Sequence, residues 1–345
     1  ISQRGTSPLS ASGDSAYSLD RWKFTREGTF GDAQITVTQD TDVPTGEGFA
    51  KSLKCVCATV DTSIASNTIS YIEQRFEGQN LQTVAKGTAS AKKMTYSFFC
   101  KSNLTGTFTI NFLDQDNTRQ FSTSYSLASA NTWERIIINV PADTTGALDN
   151  DNASSFTIQM NLQAGTSKSN GALTTAFEAS AQGDRGVGQT NFFSSTDNNW
   201  YITGCQLEVG DAATDFEHLP QDVQLIRCQR YYYLHTSGAE SNTSQVGVFS
   251  AYSSNNLQTS IFHPVQMRAA ATADFIQSTD YFNAYGNGGN DAFVGFDLGS
   301  EGNKNGSQLY TASGRGASVT QAAPYFVRVN GSTGATARVA FSAEL

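Results

Sequence analysis

Charged residues are scarce in this chain, 15% of its 345 residues, where an average soluble domain carries about 25%. Lys and Arg are the rarer kind, 22 against 31 Asp and Glu, so the formal net charge is −9. A polyanion would meet repulsion, which excludes nucleic acid and anionic membrane surfaces as expected partners. Long apolar runs are missing as well. No stretch approaches the ~20 residues of a membrane-spanning helix, and no membrane insertion is expected. No fixed-period repeat is present, which argues against a long β-helix. No signal peptide is visible and residue 1 is Ile, so we expect a processed or partial product whose upstream part carries an attachment end.

The residues of common catalytic and metal sites are equally sparse. The three histidines, His218, His235 and His263, stand far apart and form no metal-ligand spacing. No Gly-x-Ser-x-Gly elbow occurs. Gly183-Asp-Arg-Gly-Val-Gly188 lacks the lysine and helix of a phosphate loop and reads as a flexible loop. The five cysteines, Cys55, Cys57, Cys100, Cys205 and Cys228, are odd in number and scattered, which fits neither a disulfide framework nor zinc. Cys55 and Cys57 would share one strand face as small buried hydrophobes. Free thiols suit folding in a reducing cytoplasm. The expectation is a protein that does no chemistry, with no cofactor.

Ser, Thr, Asn and Gln fill the gap left by charge, together with 30 Gly, 22 Phe and 13 Tyr. Aromatic and hydroxyl residues favour strands, and Gly, Asn and Asp favour turns. Period-2 alternation is clear in Ser155–Gln163, where Phe156, Ile158, Met160 and Leu162 point one way and Thr157, Gln159, Asn161 and Gln163 the other. Thr107–Asp114 repeats it, and Gln34–Thr38, Leu53–Val60, Ser70–Phe76, Met94–Lys101, Arg135–Val140 and Trp200–Val209 are further strands. Gln182–Asp197 reads as a long loop. Pro220 marks a boundary, after which Asp222 caps a helix at Val223–Arg230 and a strand follows at Tyr231–His235. The later strands are placed at 246–252, 257–267, 292–298, 317–321, 325–329 and 337–341, with turns at 286–290 and 330–334. The predicted fold is all-β: a jelly-roll sandwich over 1–219 and a smaller distal β domain over 220–345.

Carboxylates recur in close pairs, Asp40 with Asp42, Asp114 with Asp116 and Asp149 with Asp151, with Glu47 nearby. All three pairs fall in turns, where Asp stabilises local bends; structural calcium is the second reading and glycoside cleavage the third. Sugar recognition needs a flat apolar face beside planar hydrogen-bonding groups. The candidates are Tyr71, Glu73 and Arg75 on one strand face, Phe192 and Phe193 in the long loop, and Tyr252, Tyr281 and Tyr285 in the distal half. Trp22, Trp133 and Trp200 begin strands beside apolar residues and are expected in the core.

Four segments carry a family resemblance. Trp200-Tyr-Ile-Thr-Gly-Cys-Gln-Leu-Glu-Val-Gly-Asp-Ala-Ala-Thr-Asp-Phe-Glu-His-Leu-Pro220 resembles a linker of phage tail-fibre proteins, a last sandwich strand of the type Gln-Leu-Glu-x-Gly followed by Ala-Thr-x-Phe-Glu and a proline. Cys228-Gln-Arg-Tyr-Tyr-Tyr233 is similar to the Cys-Gln-Arg-Tyr-Tyr box of that family, Phe262-His-Pro-Val-Gln-Met-Arg268 to its Pro-x-x-Met-Arg strand, and Ala343-Glu-Leu345 to its terminus. His263 before Pro264, and Ala269–Ala271 in place of a proline, depart from the pattern. Residues 1–200 resemble the family's jelly roll, itself similar to carbohydrate-binding modules, with Asp20-Arg-Trp-Lys-Phe24 and Asn131-Thr-Trp-Glu-Arg-Ile136 as its strands. In the linker, Leu207 and Val209 would pack inward with Cys205, Gln206 and Glu208 would bond the outgoing backbone, and Phe216 would plug the sandwich base.

The resemblance implies a bacteriophage tail fibre: a homotrimeric virion adhesin, made in the host cytoplasm, that meets other tail proteins at one end and a bacterial surface glycan or outer-membrane protein at the other. It also implies that structural Ca²⁺ is possible. Host recognition is expected in the distal loops at 236–245, 277–290 and 299–306. The rival readings are a capsid-attached fibre or decoration protein, a tailspike glycan depolymerase, and a secreted bacterial carbohydrate-binding module.

Overall fold

Strands form here because Phe, Tyr, Ile, Val and Thr alternate with polar residues over runs that Gly, Asn and Asp cut short. The computed structural model describes residues 1–5, 9–11 (backbone alone), 15–29, 31, 33–286, 288–311 and 317–345. They divide into two compact units, Ser2–Leu219 and Pro220–Glu344.

The first unit is a jelly-roll sandwich. Its described strands are β1 (Leu9–Ala11), β2 (Ser15–Tyr17), β3 (Lys23–Glu27), β4 (Gln34–Asp40), β5 (Ser52–Thr59), β6 (Ile69–Glu77), β7 (Met94–Ser102), β8 (Gly106–Asp114), β9 (Arg119–Leu127), β10 (Glu134–Val140), β11 (Ser154–Ala164), β12 (Glu178–Ala179) and β13 (Asn199–Val209). One antiparallel sheet runs β1-β4-β5-β13-β7-β10 and the other β12-β9-β8-β11-β6-β3-β2. Neighbours such as β5 and β13, or β11 and β6, are far apart in sequence, so the chain passes repeatedly between sheets. The inward residues meet in one core, with Phe24, Ile72, Phe112 and Phe156 from one sheet and Val37, Cys55, Phe98 and Trp200 from the other. Each such side chain contributes roughly 1.5–3 kcal/mol on burial. Cys55 and Cys57 are buried as expected, and burial pushes the Cys55 thiol well up, so these thiols are inert. Trp200 is fully enclosed, but Trp133 is half-exposed on the outer face. There its Nε1 donates to Asp42 Oδ1 at 3.0 Å, and the Lys101 ammonium lies 5.3 Å from its ring centroid.

Between β11 and β13 a strap of irregular chain, residues 165–198, includes a one-turn helix, α1 (Thr166–Ser169), and only the two-residue β12. It lies against the β8-β11-β6 sheet.

The distal unit begins with α2 (Gln221–Gln229), whose N-cap is Pro220; Asp222 sits in its first turn without capping it. The strands are β14 (Tyr232–Ser237), β15 (Gln245–Ser253), β16 (Asn256–Phe262), β17 (Thr272–Ala273), β18 (Phe282–Gly286), β19 (Gly289–Phe293), β20 (Asp297–Leu298), β21 (Gly306–Tyr310), β22 (Pro324–Val329) and β23 (Arg338–Ser342). They form a three-stranded sheet, β14-β23-β17, and a seven-stranded one, β19-β18-β22-β15-β16-β21-β20. Phe249, Leu257, Phe282, Phe296 and Val327 anchor its core. The strand predicted over 257–267 ends at Phe262, because Pro264 offers no ladder N–H. The segment 317–321 is no strand, and Ser318 N bonds the Asp291 carboxylate, with Oδ2 at 2.5 Å. The turn predicted at 286–290 is the β18–β19 hairpin; Asn287 lies outside the described residues.

Candidate functional site

The predicted trio of β6 sits on a polar sheet face. Register places Thr25, Tyr71 and Asn161 in one cross-strand row and Lys23, Glu73, Gln159 and Asn111 in the next. The strap covers this face through Arg185. Its guanidinium grips both Glu27 oxygens at 2.8 and 2.9 Å, donates to Gln159 Oε1 at 2.7 Å and lies 5.6 Å from the Tyr71 ring centroid. Its carbonyl accepts from Asn111 Nδ2 at 3.1 Å and Asn161 Nδ2 at 2.5 Å. Tyr71 donates its hydroxyl to Glu27 at 2.7 Å. Burial works to raise the Glu27 carboxyl, yet hydrogen bonds and charge from Arg185 draw it down to about 2. Glu73 accepts from Thr25 at 3.0 Å and Arg75 at 2.9 Å.

Tyr71 and Glu73 are therefore buried at 3% and 1% exposure, and of the three only Arg75 reaches solvent, with about 30% of its side chain exposed. Phe192 and Phe193 are corrected outright as ligand contacts, since both are at 0% exposure in the sandwich core. Asn191 turns the chain there by accepting from Phe193 N at 2.9 Å, which drives both rings inward.

The carboxylate pairs are spent on turns and ion pairs. Asp40 bonds Lys54 at 3.0 Å, and Asp42 bonds Lys101 and Trp133. Asp116 accepts from Asp149 N at 2.9 Å, and Asp151 from Ala153 N at 2.9 Å. Asp114 is buried against the Lys86 ammonium. That ammonium also meets Asp143 Oδ2 at 3.0 Å and the carbonyls of Thr145 and Gly146 at 3.0 and 2.9 Å. Among the described residues no group of three His, Cys, Asp or Glu is gathered to hold a metal ion.

The polar residues of the linker bond as expected, but Val209, the last residue of β13, is 46% exposed rather than packed inward. Gln206 Oε1 accepts from Glu217 N at 2.8 Å, Gln206 Nε2 donates to Asp215 O at 3.2 Å, and Glu208 accepts from Thr214 N at 3.2 Å. Phe216 packs on Phe49 with centroids 5.0 Å apart, on the outer face of the sandwich rather than in its base. A hollow of about 210 Å³ remains beside it, lined by Arg135, Glu47 and His218 among others. Arg135 bonds the Thr214 carbonyl and His218 Nε2 bonds the Glu47 carbonyl at 2.9 Å, so these groups serve the linker.

In the distal unit the remaining boxes converge. Arg268 N donates to the Arg230 carbonyl at 2.8 Å, and Ala343 N to the Tyr231 carbonyl at 2.8 Å. Arg268 Nε and Nη2 then donate to the carbonyls of Ala343 and Glu344 at 2.7 and 2.9 Å. Met267 is fully buried beneath them. Spacing along the chain could not reveal that these three segments are one cluster.

The exposed aromatic groups lie elsewhere in that unit, on the outer face of the seven-stranded sheet. Register sets Tyr285, Phe326 and Val248 side by side on β18, β22 and β15. Val248 and Tyr252 are 64% and 66% exposed, and Phe262 on β16 reaches 81%. The Arg328 guanidinium carbon lies 4.6 Å from the Tyr285 ring centroid. Tyr281 stands apart, bonded through its hydroxyl to Thr336 at 3.0 Å. Phe262, Val248 and Phe326 carry no local signal of such a role, because in sequence an outward apolar position on a strand looks like an inward one.

No family model and no curated protein matches the chain. Among solved structures it is similar to the enzymatically active domain of bacteriophage CBA120 tailspike protein 4, at 15% identity and a TM-score of 0.30, over 55% of this chain and only 19% of that one. It is similar also to a family 11 carbohydrate-binding module from Clostridium thermocellum in complex with a β-1,3-1,4-mixed-linked tetrasaccharide, at 11% identity and 0.29, over 57% of this chain and 91% of that one. A third is discoidin II of Dictyostelium discoideum, at 8% identity and 0.19, over 84% and 86%.

Proposed function

We propose that the chain is a viral fibre adhesin that recognises a bacterial surface glycan or outer-membrane protein through its distal unit, assembles as a homotrimer and catalyses no reaction. The observation that carries this reading is the outer face of the seven-stranded sheet, where Val248, Tyr252 and Phe262 are more than half exposed. Large apolar side chains left this exposed on one sheet face suit an interaction surface. In the sandwich, by contrast, Tyr71 and Glu73 lie buried beneath the strap. The order of the tail-fibre boxes in the sequence supports the virion assignment, and the engagement of Asp40, Asp42, Asp114, Asp116 and Asp151 in turns or ion pairs supports a binding role over glycan cleavage.

Trimerisation rests on the tail-fibre resemblance and leaves the face of Val248, Tyr252 and Phe262 to the receptor. Three weak sites on one tip gain avidity of about 10²–10⁴. Light scattering should give three times the 37.0 kDa chain mass; a mass near 37 kDa would remove the trimer. The adhesin role is tested by binding of fluorescent protein to a panel of bacterial strains and a glycan array. Binding to neither sinks it, and release of oligosaccharides from a bound polysaccharide would favour a depolymerase. Labelling of whole virions separates a tail fibre from a capsid-attached one.

A further inference from the structure

The distal unit has a second feature that its exposed face does not account for. Where β18 and β19 approach their shared turn, a hollow of about 180 Å³ opens against the segment 317–320. It exists because side chains are missing there. Ala284 on β18 and Gly289 on β19 leave space that larger strand residues would fill. Gly286 has no alternative, since a Cβ on it would come within 2.7 Å of Tyr325 Cδ1. Tyr325 lines the hollow and is fixed, its hydroxyl accepting from Thr320 N at 2.8 Å.

The mouth is polar. Asn290 and Ser318 are exposed and Asp291 is half-buried. Asp291 uses Oδ2 to accept from Ser318 N, which ties the segment to the hairpin. Its Oδ1, the Asn290 amide and the Ser318 hydroxyl take no hydrogen bond among the described residues. A carboxylate acceptor, a planar amide and a hydroxyl beside an aromatic ring are the groups that read neighbouring hydroxyls on a ring with one apolar side. Among the described residues no Lys or Arg lines the hollow, so an anionic ligand would face the Asp291 charge without compensation from them. The volume lies well below the ~300 Å³ of drug-sized sites and suits one ring.

We propose that this hollow is a subsite for one neutral pyranose residue, held by Asn290, Asp291 and Ser318 against Tyr325. The proposal rests on the adhesin reading and names where, and for which sugar class, recognition occurs.

Saturation-transfer NMR on the full chain tests it, with galactose, glucose, mannose and N-acetylglucosamine at millimolar concentration as probes, and glucuronate and N-acetylneuraminate as anionic counterparts. At least one neutral sugar should show transfer and neither anion should. Gly289→Phe fills the mouth at little cost to the fold, because a Cβ there meets nothing within 4 Å. Asp291→Asn keeps an oxygen for Ser318 N and removes the charge. Each should weaken the sugar at least tenfold, with wild-type circular dichroism and melting. No transfer from any of the four neutral sugars, equal transfer from the anions, or undiminished transfer in Gly289→Phe overturns the subsite. Binding of the same protein to bacterial strains is scored in parallel. Adhesion without any effect of Gly289→Phe removes the subsite and leaves the adhesin reading, whereas adhesion to no strain and no glycan removes the reading itself.

Discussion

Lys86 shows how a single residue can decide what a cluster of acids does. Its side chain is 3% exposed and sits among two carboxylates, of Asp114 and Asp143, and two backbone carbonyls. Such an oxygen set could surround a metal ion, but here the chain supplies the cation itself. Arg119 grips both oxygens of Asp143, with Nε 2.8 Å from Oδ2, which Lys86 shares, and Nη2 3.1 Å from Oδ1. Removing one partner of a buried pair leaves an uncompensated charge, at a cost of about 3–5 kcal/mol. Lys86→Met should therefore lose about that much in urea denaturation, and an unchanged midpoint would show that the pair contributes little. The sequence displayed Asp114 in a turn but not its partner, because the two come together only when β8 and the 142–147 loop fold around residue 86. Two histidines of the distal unit give a second prediction at this scale. His235 Nε2 bonds the Val246 carbonyl at 2.7 Å and His263 Nδ1 the Lys304 carbonyl at 3.2 Å. Burial lowers both below the ordinary value of 6.5. The unfolded chain thus takes up protons first. Stability is complete above about pH 6.5 and falls as the pH drops through and below that value. For Glu27 the shift is also downward and the outcome the same: its stabilisation is present above the ordinary 4.5 and fades as the pH falls toward about 2. Melting followed from pH 8 to 3 by resolved signals of each unit should show the distal unit weakening first. Distal stability that is flat between pH 7 and 5 would contradict this.

At the scale of elements, strands with strong alternation of large apolar and polar residues were legible, and those without it were not. Phe156, Ile158, Met160 and Leu162 announce β11, and all four are fully buried. β9, with the sequence Arg-Gln-Phe-Ser-Thr-Ser-Tyr-Ser-Leu, hides its period because hydroxyl residues occupy both faces. β18 was assigned to a loop because its Gly and Asn content matches turn composition, although Phe282 and Ala284 point into the core. The candidate site was less legible than the fold. Tyr71 and Glu73 were correctly placed on one strand face, but nothing in the local sequence says that Arg185, more than a hundred positions later, closes that face. The linker after β13 was read better, since Gln206 and Glu208 had to point away from the core and do clamp residues 214–217. Each of these partly exposed bonds contributes about 0.5–1.5 kcal/mol. The double change Gln206→Ala with Glu208→Ala should leave the sandwich's melting temperature nearly intact while exposing the segment 211–219 to protease. Limited proteolysis with mass spectrometry checks this, and a cleavage pattern identical to the parent's would show that Phe216 alone holds the linker.

For the whole molecule, the arrangement of apolar residues says how the chain folds. One core cluster draws only on residues between Leu19 and Leu207, the other only on residues between Tyr233 and Ala343. Each unit thus gathers its own hydrophobic residues, the physical condition for independent folding. The sandwich meets the size condition as well, because a domain of about 150–300 residues buries roughly 70–75% of its unfolded surface and needs no metal or disulfide. Its cysteines are all free. Three of its four sheet edges are short, β12 with two residues and β2 and β1 with three each, which limits pairing with other copies there. The polar face is sealed from within by Arg185, so no partner is required to satisfy Glu27 or Gln159. Residues 1–219 expressed alone are therefore expected to stay soluble, show a β circular-dichroism spectrum and unfold in a single cooperative transition. Their amide exchange should be slowest in β5, β11 and β13, the central strands of the two sheets. The opposite outcome, a soluble but protease-sensitive fragment with no cooperative transition, would mean that the distal unit is needed to complete the sandwich and that residue 220 does not divide two autonomous domains.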